Sequence, residues 1–307
     1  MNIFEIKKQF IENKLDKWKY IDQMYSVHRV LFDYAEFIKT TNISNIQISE
    51  GQIVMTFRDS SVQFICSEGD KRLAPFDTLN FGIYEQQELQ MQLNLMNEGD
   101  TIFDIGANYG WYALHIAKAF PKSSIFSFEP IPSTFEKLNA NIQLNQVANI
   151  EALNFGFSEE PGSFDFFFDP ALSVNASLAR VSDSATVEKV ECKVQVVDDF
   201  VRDMKLKVDF IKCDVEGAEL LVFKGARKLL LEQKPIVFSE MLRKWTAKFN
   251  YHPNDIIHLF KESGYACFTI EENQLARFEK VDDNTIETNY FFLHEEKHKQ
   301  KIEALAR

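Results

Sequence analysis

From residue 101 onward, short apolar runs and amphipathic stretches alternate along the chain. IFDI, SIFSFE, IEALNFGF, VDFIKCD, KPIVFSE, YACFTI and NYFFLH read as strands, rich in β-branched and aromatic residues and bounded by polar or glycine-bearing turns. Helical patterns fall between them, at about Trp111 to Ala119, about Thr134 to Asn145, the run AELLVFKGARKLLLE, and about Asn254 to Ser263. This alternation predicts an α/β fold, a Rossmann-like seven-stranded sheet, mostly parallel and covered by helices on both faces. The link EENQLARFEKVDDNTIET before NYFFLH is polar and shows no helix. The last strand is therefore expected to run antiparallel, since a parallel return needs a crossover. FDFFF and VECKVQVV add hairpin-like strands between the third and fourth.

The first 78 residues follow another pattern. Ile3, Phe4, Phe10 and Ile11, then Val30, Leu31, Tyr34, Phe37 and Ile38, sit at helical spacing. Residues 46–66 alternate like a small antiparallel pair, and YEQQELQMQLNLM (84–96) reads as one amphipathic helix. The expected division is an accessory region of helices and a short β pair (1–78), a main domain (79–296) and a charged tail (297–307). The N-terminal helices could form a homodimer or close over a substrate.

Composition narrows the classes. With 45% hydrophobic and 26% charged residues in 307, the chain can bury a real core, and most of its 29 phenylalanines are expected in packing. A net charge of −12 argues against nucleic acid and anionic membrane surfaces as partners. No apolar run approaches bilayer length, and the N-terminus lacks a signal-peptide core. Four cysteines without a CxxC pair suggest reduced thiols and a cytoplasmic setting.

Chemistry gathers where the strands end, the place where open α/β sheets bind ligands. The first strand delivers Asp104, then Gly106, Ala107, Asn108, Tyr109 and Gly110; the second Glu129 and Pro130; the third Gly156 and Phe157; the fourth Asp214 and Glu216; the fifth Glu240. A dinucleotide loop needs GxGxxG, whereas this one reads DxGxxxG and places an acid where a phosphate would lie. Such a loop suits a cationic, phosphate-free cofactor such as S-adenosyl-L-methionine. Asp104 would hold its ammonium, and bare backbone at Gly106 would let it lie on the turn. Glu129, 25 residues after Asp104, would accept from the ribose hydroxyls. The plainer alternative is an ordinary tight turn.

DIGANYGWY, SFEP and above all FIKCDVEGAELLVFKGA followed by KPIVFSE resemble the FkbM-type methyltransferase family, over about residues 79–295. DVEGAE is the specific segment; the glycine loop is shared by many methyltransferase classes. The resemblance implies the seven-stranded methyltransferase sheet and O-methylation, dependent on S-adenosylmethionine, of a hydroxyl on a sugar, glycan or secondary metabolite. It places the cofactor loop on Asp104, Gly106, Ala107, Asn108 and Gly110, the ribose acid on Glu129, and the DxEGxE segment on Asp214, Glu216, Gly217 and Glu219. Tyr84-Glu85 also fits the family.

Methyl transfer needs a positioned nucleophile and one proton moved. Asp214 and Glu216 straddle the fourth strand's end, where one could act as base or orient the hydroxyl; Glu216 could instead cap the helix that follows. Their hard oxygens also suit magnesium or calcium, though no metal is predicted. Acceptor contacts are expected from Tyr84, Glu85, Asn175, Ser177, Arg180 and Glu240. HEEKH (294–298) matches the zinc-protease pattern but reads as coincidence. The rival readings are an NAD-dependent oxidoreductase on a similar sheet, and a non-catalytic cofactor-binding interaction protein.

Overall fold

The computed structural model describes residues 2–169, 172–177 and 187–307. Its strands, in chain order, are β1 (Ile43–Ser49), β2 (Gln52–Phe57), β3 (Gln63–Cys66), β4 (Thr101–Ile105), β5 (Ser124–Phe128), β6 (Ile150–Leu153), β7 (Gly156–Phe157), β8 (Gly162–Asp169), β9 (Leu172–Ser177), β10 (Glu188–Gln195), β11 (Phe210–Cys213), β12 (Ile236–Glu240), β13 (Tyr265–Glu271), β14 (Gln274–Phe278) and β15 (Asn289–His294). The main sheet runs β14-β13-β15-β12-β11-β4-β5-β6. β6, β5, β4, β11 and β12 are mutually parallel, and β15 enters antiparallel between β12 and β13. The seven expected strands and the reversed last one are therefore present. An eighth, β14, forms inside the polar link as a hairpin partner of β13. Its turn, Glu272-Asn273, has two residues at positive φ, a type that right-twisted hairpins favour.

Alternation along the central strands builds two cores. Phe103, Ile105, Phe128, Ile211 and Val237 face one side, against the helix Pro253–Glu262 and the paired short helices Glu219–Lys224 and Arg227–Glu232. Ile102, Ile125, Phe210, Ile236 and Phe238 face the other, under the helix Trp111–Ala119. AELLVFKGARKLLLE breaks in two at Gly225, where an added Cβ would lie 2.5 Å from the Ser158 carbonyl. The third predicted strand also breaks. β6 stops at Leu153, and β7 joins a separate sheet of order β7-β10-β8-β9.

The N-terminal region has three strands, β1-β2-β3, rather than a pair. The free edge of β3 is taken up by two asparagines of the helix Pro132–Asn145. The Ile65 amide donates to Asn141 Oδ1 (2.9 Å), and Asn145 accepts from the Gln63 amide (2.8 Å) and donates to its carbonyl (2.7 Å). Phe57, Phe64 and Leu73 share a third core with Tyr109 and Leu114. The tail is a helix, Lys299–Leu305, whose Ile302 and Leu305 pack on the main sheet. The described residues include no helix long and apolar enough to cross a membrane.

Candidate active site

The glycine loop closes over the end of β4. The Gly106 and Ala107 amides both donate to the Phe128 carbonyl at 3.0 Å, and the Gly110 amide returns to Ala107 at 2.8 Å. Gly106 has φ +75, and a Cβ there would lie 1.9 Å from the Asp214 carbonyl oxygen. The bare backbone thus admits the neighbouring strand end, and the same residue stands on the cleft wall. Gly110 has φ +90 and its missing Cβ would meet Leu138 at 2.7 Å, so it too serves packing.

The DVEGAE turn is tied by its third acid. Glu219 Oε1 accepts from the Val215 and Gly217 amides, both at 3.0 Å, while the Tyr251 hydroxyl donates to the Gly217 carbonyl at 2.7 Å. Glu219 therefore does the capping that Glu216 was weighed for, and Glu216, at φ +53, turns toward the cleft instead. Gly217 (φ +101) is required because a Cβ would fall 2.8 Å from the Trp245 backbone.

Between these turns opens a cleft of about 290 Å³. Glu85, Asp214, Glu216 and Glu240 supply carboxylates to it, Arg72, Lys212 and Lys244 cations, and Tyr84, Trp111, Tyr112 and Trp245 its aromatic walls. Gly106, Ala107 and Asn108 complete the wall at the loop. Glu85, held at φ +42, accepts from the Tyr112 hydroxyl at 2.8 Å. Burial and the Asp214 charge push its carboxyl up to about 7, against that hydrogen bond. Burial, and then the Asp214 charge, hold Glu216 and Glu240 well above the usual carboxylate range. Burial, reinforced by the neighbouring carboxylates, raises the Tyr84 phenol.

Several expected ligands sit elsewhere. Asp104 is 1% exposed and lies behind the loop, where Lys212 Nζ stands 3.3 Å from its Oδ1 and donates to the Gly106 carbonyl at 2.7 Å. Its charge already has a cation. Glu129 is buried, its two carboxylate oxygens accepting from the Asn108 (3.0 Å) and Ile131 (2.9 Å) amides, and burial raises it to about 7. Tyr109 turns to the N-terminal region, donating to Asp70 at 3.2 Å. Gly156 and Phe157 belong to the second sheet, where Gly156 packs on Pro130 and Phe157 on Phe128. Asn175 and Ser177 lie in β9, their side chains outside the described ones, and Arg180 lies outside the described residues.

The residues missed from sequence are Arg72, Trp111, Tyr112, Lys212, Leu242, Lys244 and Trp245. Lys212 had a signal, being a lone charge inside the apolar run of β11. HEEKH proves to be a backbone device: the His294 amide donates to His298 Nδ1 at 2.9 Å, and burial lowers His298 to about 3. Among the described residues no group of three or more His, Cys, Asp or Glu could hold a metal ion.

The family model described as Methyltransferase FkbM domain matches residues 104–267, more than half of the chain. This chain belongs to that family. Among curated relatives, Methyltransferase 1 of Beauveria bassiana (strain ARSEF 2860) is 30% identical over 142 residues, covering 40% of this chain and 57% of that protein. The hexuronic acid methyltransferase AglP of Haloferax volcanii is 29% identical over 147 residues, 48% of this chain and 58% of its own. The 31-O-demethyl-FK506 methyltransferase FkbM of Streptomyces tacrolimicus is 26% identical over 160 residues, 42% of this chain and 60% of its own. The chain thus spans less than two thirds of each relative's length. The FkbM domain match begins at Asp104 and takes in the glycine loop and DVEGAE. Tyr84, Glu85 and Arg72, which line the same cleft, lie before it.

Proposed function

We propose that this protein is a methyltransferase that uses S-adenosyl-L-methionine to O-methylate a hydroxyl of a sugar, glycan or secondary metabolite. The observation that carries this reading is the convergence of Glu85, Asp214, Glu216 and Glu240 on one cleft at the strand ends. The loop after the first strand reads DxGxxxG rather than GxGxxG, which weighs against the oxidoreductase reading. The curated relatives, one a hexuronic acid methyltransferase, point to the same acceptor class.

When bound, S-adenosylmethionine supplies a methyl group on a sulfonium. Asp214, Glu216 and the Gly106–Asn108 turn would hold it, while Asp104 acts through Lys212 by fixing the turn's carbonyl. Asp214, whose side chain is 31% exposed, would accept the acceptor's hydroxyl proton. Glu216 and Glu240 would face the acceptor's oxygens from the same cleft. Pro130, Gly156 and Phe157 support the site from the core. Residues 1–78 are accessory in this reading except for Arg72, which lines the cleft, and four free cysteines agree with a reducing, cytoplasmic setting.

Calorimetry with S-adenosylmethionine, S-adenosylhomocysteine and NAD tests the reading. Binding of the first two without NAD supports it, and binding of NAD alone overturns it. Methyl transfer from labelled donor to a panel of sugars, uronic acids and polyols then identifies the acceptor.

A further inference from the structure

The helices Ile3–Ile11, Lys17–His28 and Val30–Phe37 bury a single side chain, Ile6, and pack chiefly on one another, with Phe10 stacked on Tyr20 at 4.2 Å. Phe4, Ile11, Trp18, Tyr25, Leu31 and Phe32 stand 55–81% exposed, and five further large apolar side chains on these helices are 39–46% exposed. At roughly 150–250 Å² for a large side chain, the arm presents on the order of 1,000 Å² of apolar surface. A lone folded chain rarely exposes that much, and a stable partner contact uses about 800 Å² per side. Beside the arm runs a groove of about 830 Å³ walled by Tyr34 and Phe37, by Ile48 and Ile53 of the β1–β2 hairpin, and by Phe76 and Leu79.

We propose that a second copy of this chain covers this surface, each protomer's helical arm seating in the other's groove. Both halves of the contact, aromatic ridges and apolar trough, lie on one chain, as a two-fold contact requires. Charge selects the same face. Residues 2–40 hold seven basic and six acidic side chains, net +1, which leaves −13 on the rest of a chain of net −12. Two bodies so acidic repel, and the arm is the part that can approach one without that cost. The groove's Asp70 accepts from Tyr109 of the glycine loop at 3.2 Å, and Arg72, two residues on, walls the catalytic cleft. A seated arm would thus order one wall of that cleft. The contact stands whether or not the cleft transfers methyl groups.

Sedimentation equilibrium of the full chain tests it, with twice the 35.7 kDa chain mass expected at micromolar concentration. An arm variant (Phe4→Glu with Trp18→Glu) and a groove variant (Ile48→Glu with Ile53→Glu) should each be monomeric, with the circular dichroism spectrum unchanged. Mixing the two should restore a heterodimer, because one retains an intact arm and the other an intact groove. A monomeric wild-type chain, a groove variant that still dimerises, or a mixture that stays monomeric overturns the proposal. So does native mass spectrometry showing a monomer with lipid in the groove.

Discussion

Lys212 and Asp104 lie side by side on adjacent parallel strands, their charged groups 3.3 Å apart and their side chains 3% and 1% exposed. Burial works against both charges, yet the Asp104 and Asp214 carboxylates hold the Lys212 ammonium above its usual range. The pair is reinforced where Lys212 donates to the Gly106 carbonyl, so the ion pair also sets the glycine loop.

Removing one partner strands the other. Lys212→Met should cost about 3–5 kcal/mol of unfolding free energy, because it leaves Asp104 as an uncompensated buried charge. Lys212→Met with Asp104→Asn should cost clearly less than the two single changes summed. Urea unfolding of the four proteins measures this, and strict additivity would sink the pairing.

Asp104 and Asp214 should separate by readout. Asp104→Asn should lower the urea midpoint and weaken donor binding together, since the carboxylate works through Lys212 and the loop. Asp214→Asn, at a partly exposed side chain, should leave the unfolding free energy within about 1 kcal/mol and reduce turnover by about 10²-fold or more. Equal midpoint losses in the two variants would contradict this division.

The same pair shows what a sequence reveals and what it hides. The strands were legible because β4, β5, β11 and β12 are apolar runs with acids at or near their ends, and the helix Trp111–Ala119 because an apolar, alanine-rich run follows the glycine loop. Asp104, Glu129, Asp214 and Glu216 were legible as strand-end acids, but not their directions. A strand's neighbour is set by topology, so the lone charge of Lys212 was visible in β11 while its pairing with Asp104, 108 residues away, left no local mark. What holds Glu129 within the protein could not be read, because backbone amides from the next turns reach its oxygens only once folded. Gly106 was visible as a constraint, with its cause, the Asp214 carbonyl, on another strand. The eighth strand was hidden because β14, at the sheet's edge, alternates weakly between polar residues.

Gly106 gives a graded test. Gly106→Ala must adopt φ +75 with its Cβ 1.9 Å from a backbone oxygen, whereas Gly51→Ala needs φ +70 with open space around it. The second change should cost only the conformational strain, about 1–2 kcal/mol. The first adds a backbone clash that separates β4 from the DVEGAE turn, and should cost about 4 kcal/mol or more and abolish donor binding. Thermal melts of both variants decide it; equal shifts would show that the two turns do not touch as described.

Stability should carry the mark of two buried carboxyls. Burial raises Glu129 and Glu219 from the ordinary 4.5 to about 7, although backbone amides pull each down. Between those values the folded chain holds protons that the unfolded chain has lost. Their contribution is full below about pH 4.5 and disappears as pH rises through 7, so these groups make unfolding easier at neutral than at mildly acid pH. Each contributes a slope of about 1.4 kcal/mol per pH unit within that window. Glu219→Gln isolates one of them: the amide oxygen can still accept from Val215 and Gly217, and its NH₂ can meet the Tyr251 hydroxyl, now 3.2 Å from Oε2. Urea midpoints measured from about pH 5 to about pH 7 should therefore fall less steeply in the variant, by about one proton's worth. An unchanged slope would mean that Glu219 is ionised in the folded chain, and that the DVEGAE turn is held by a charge rather than by a neutral acid.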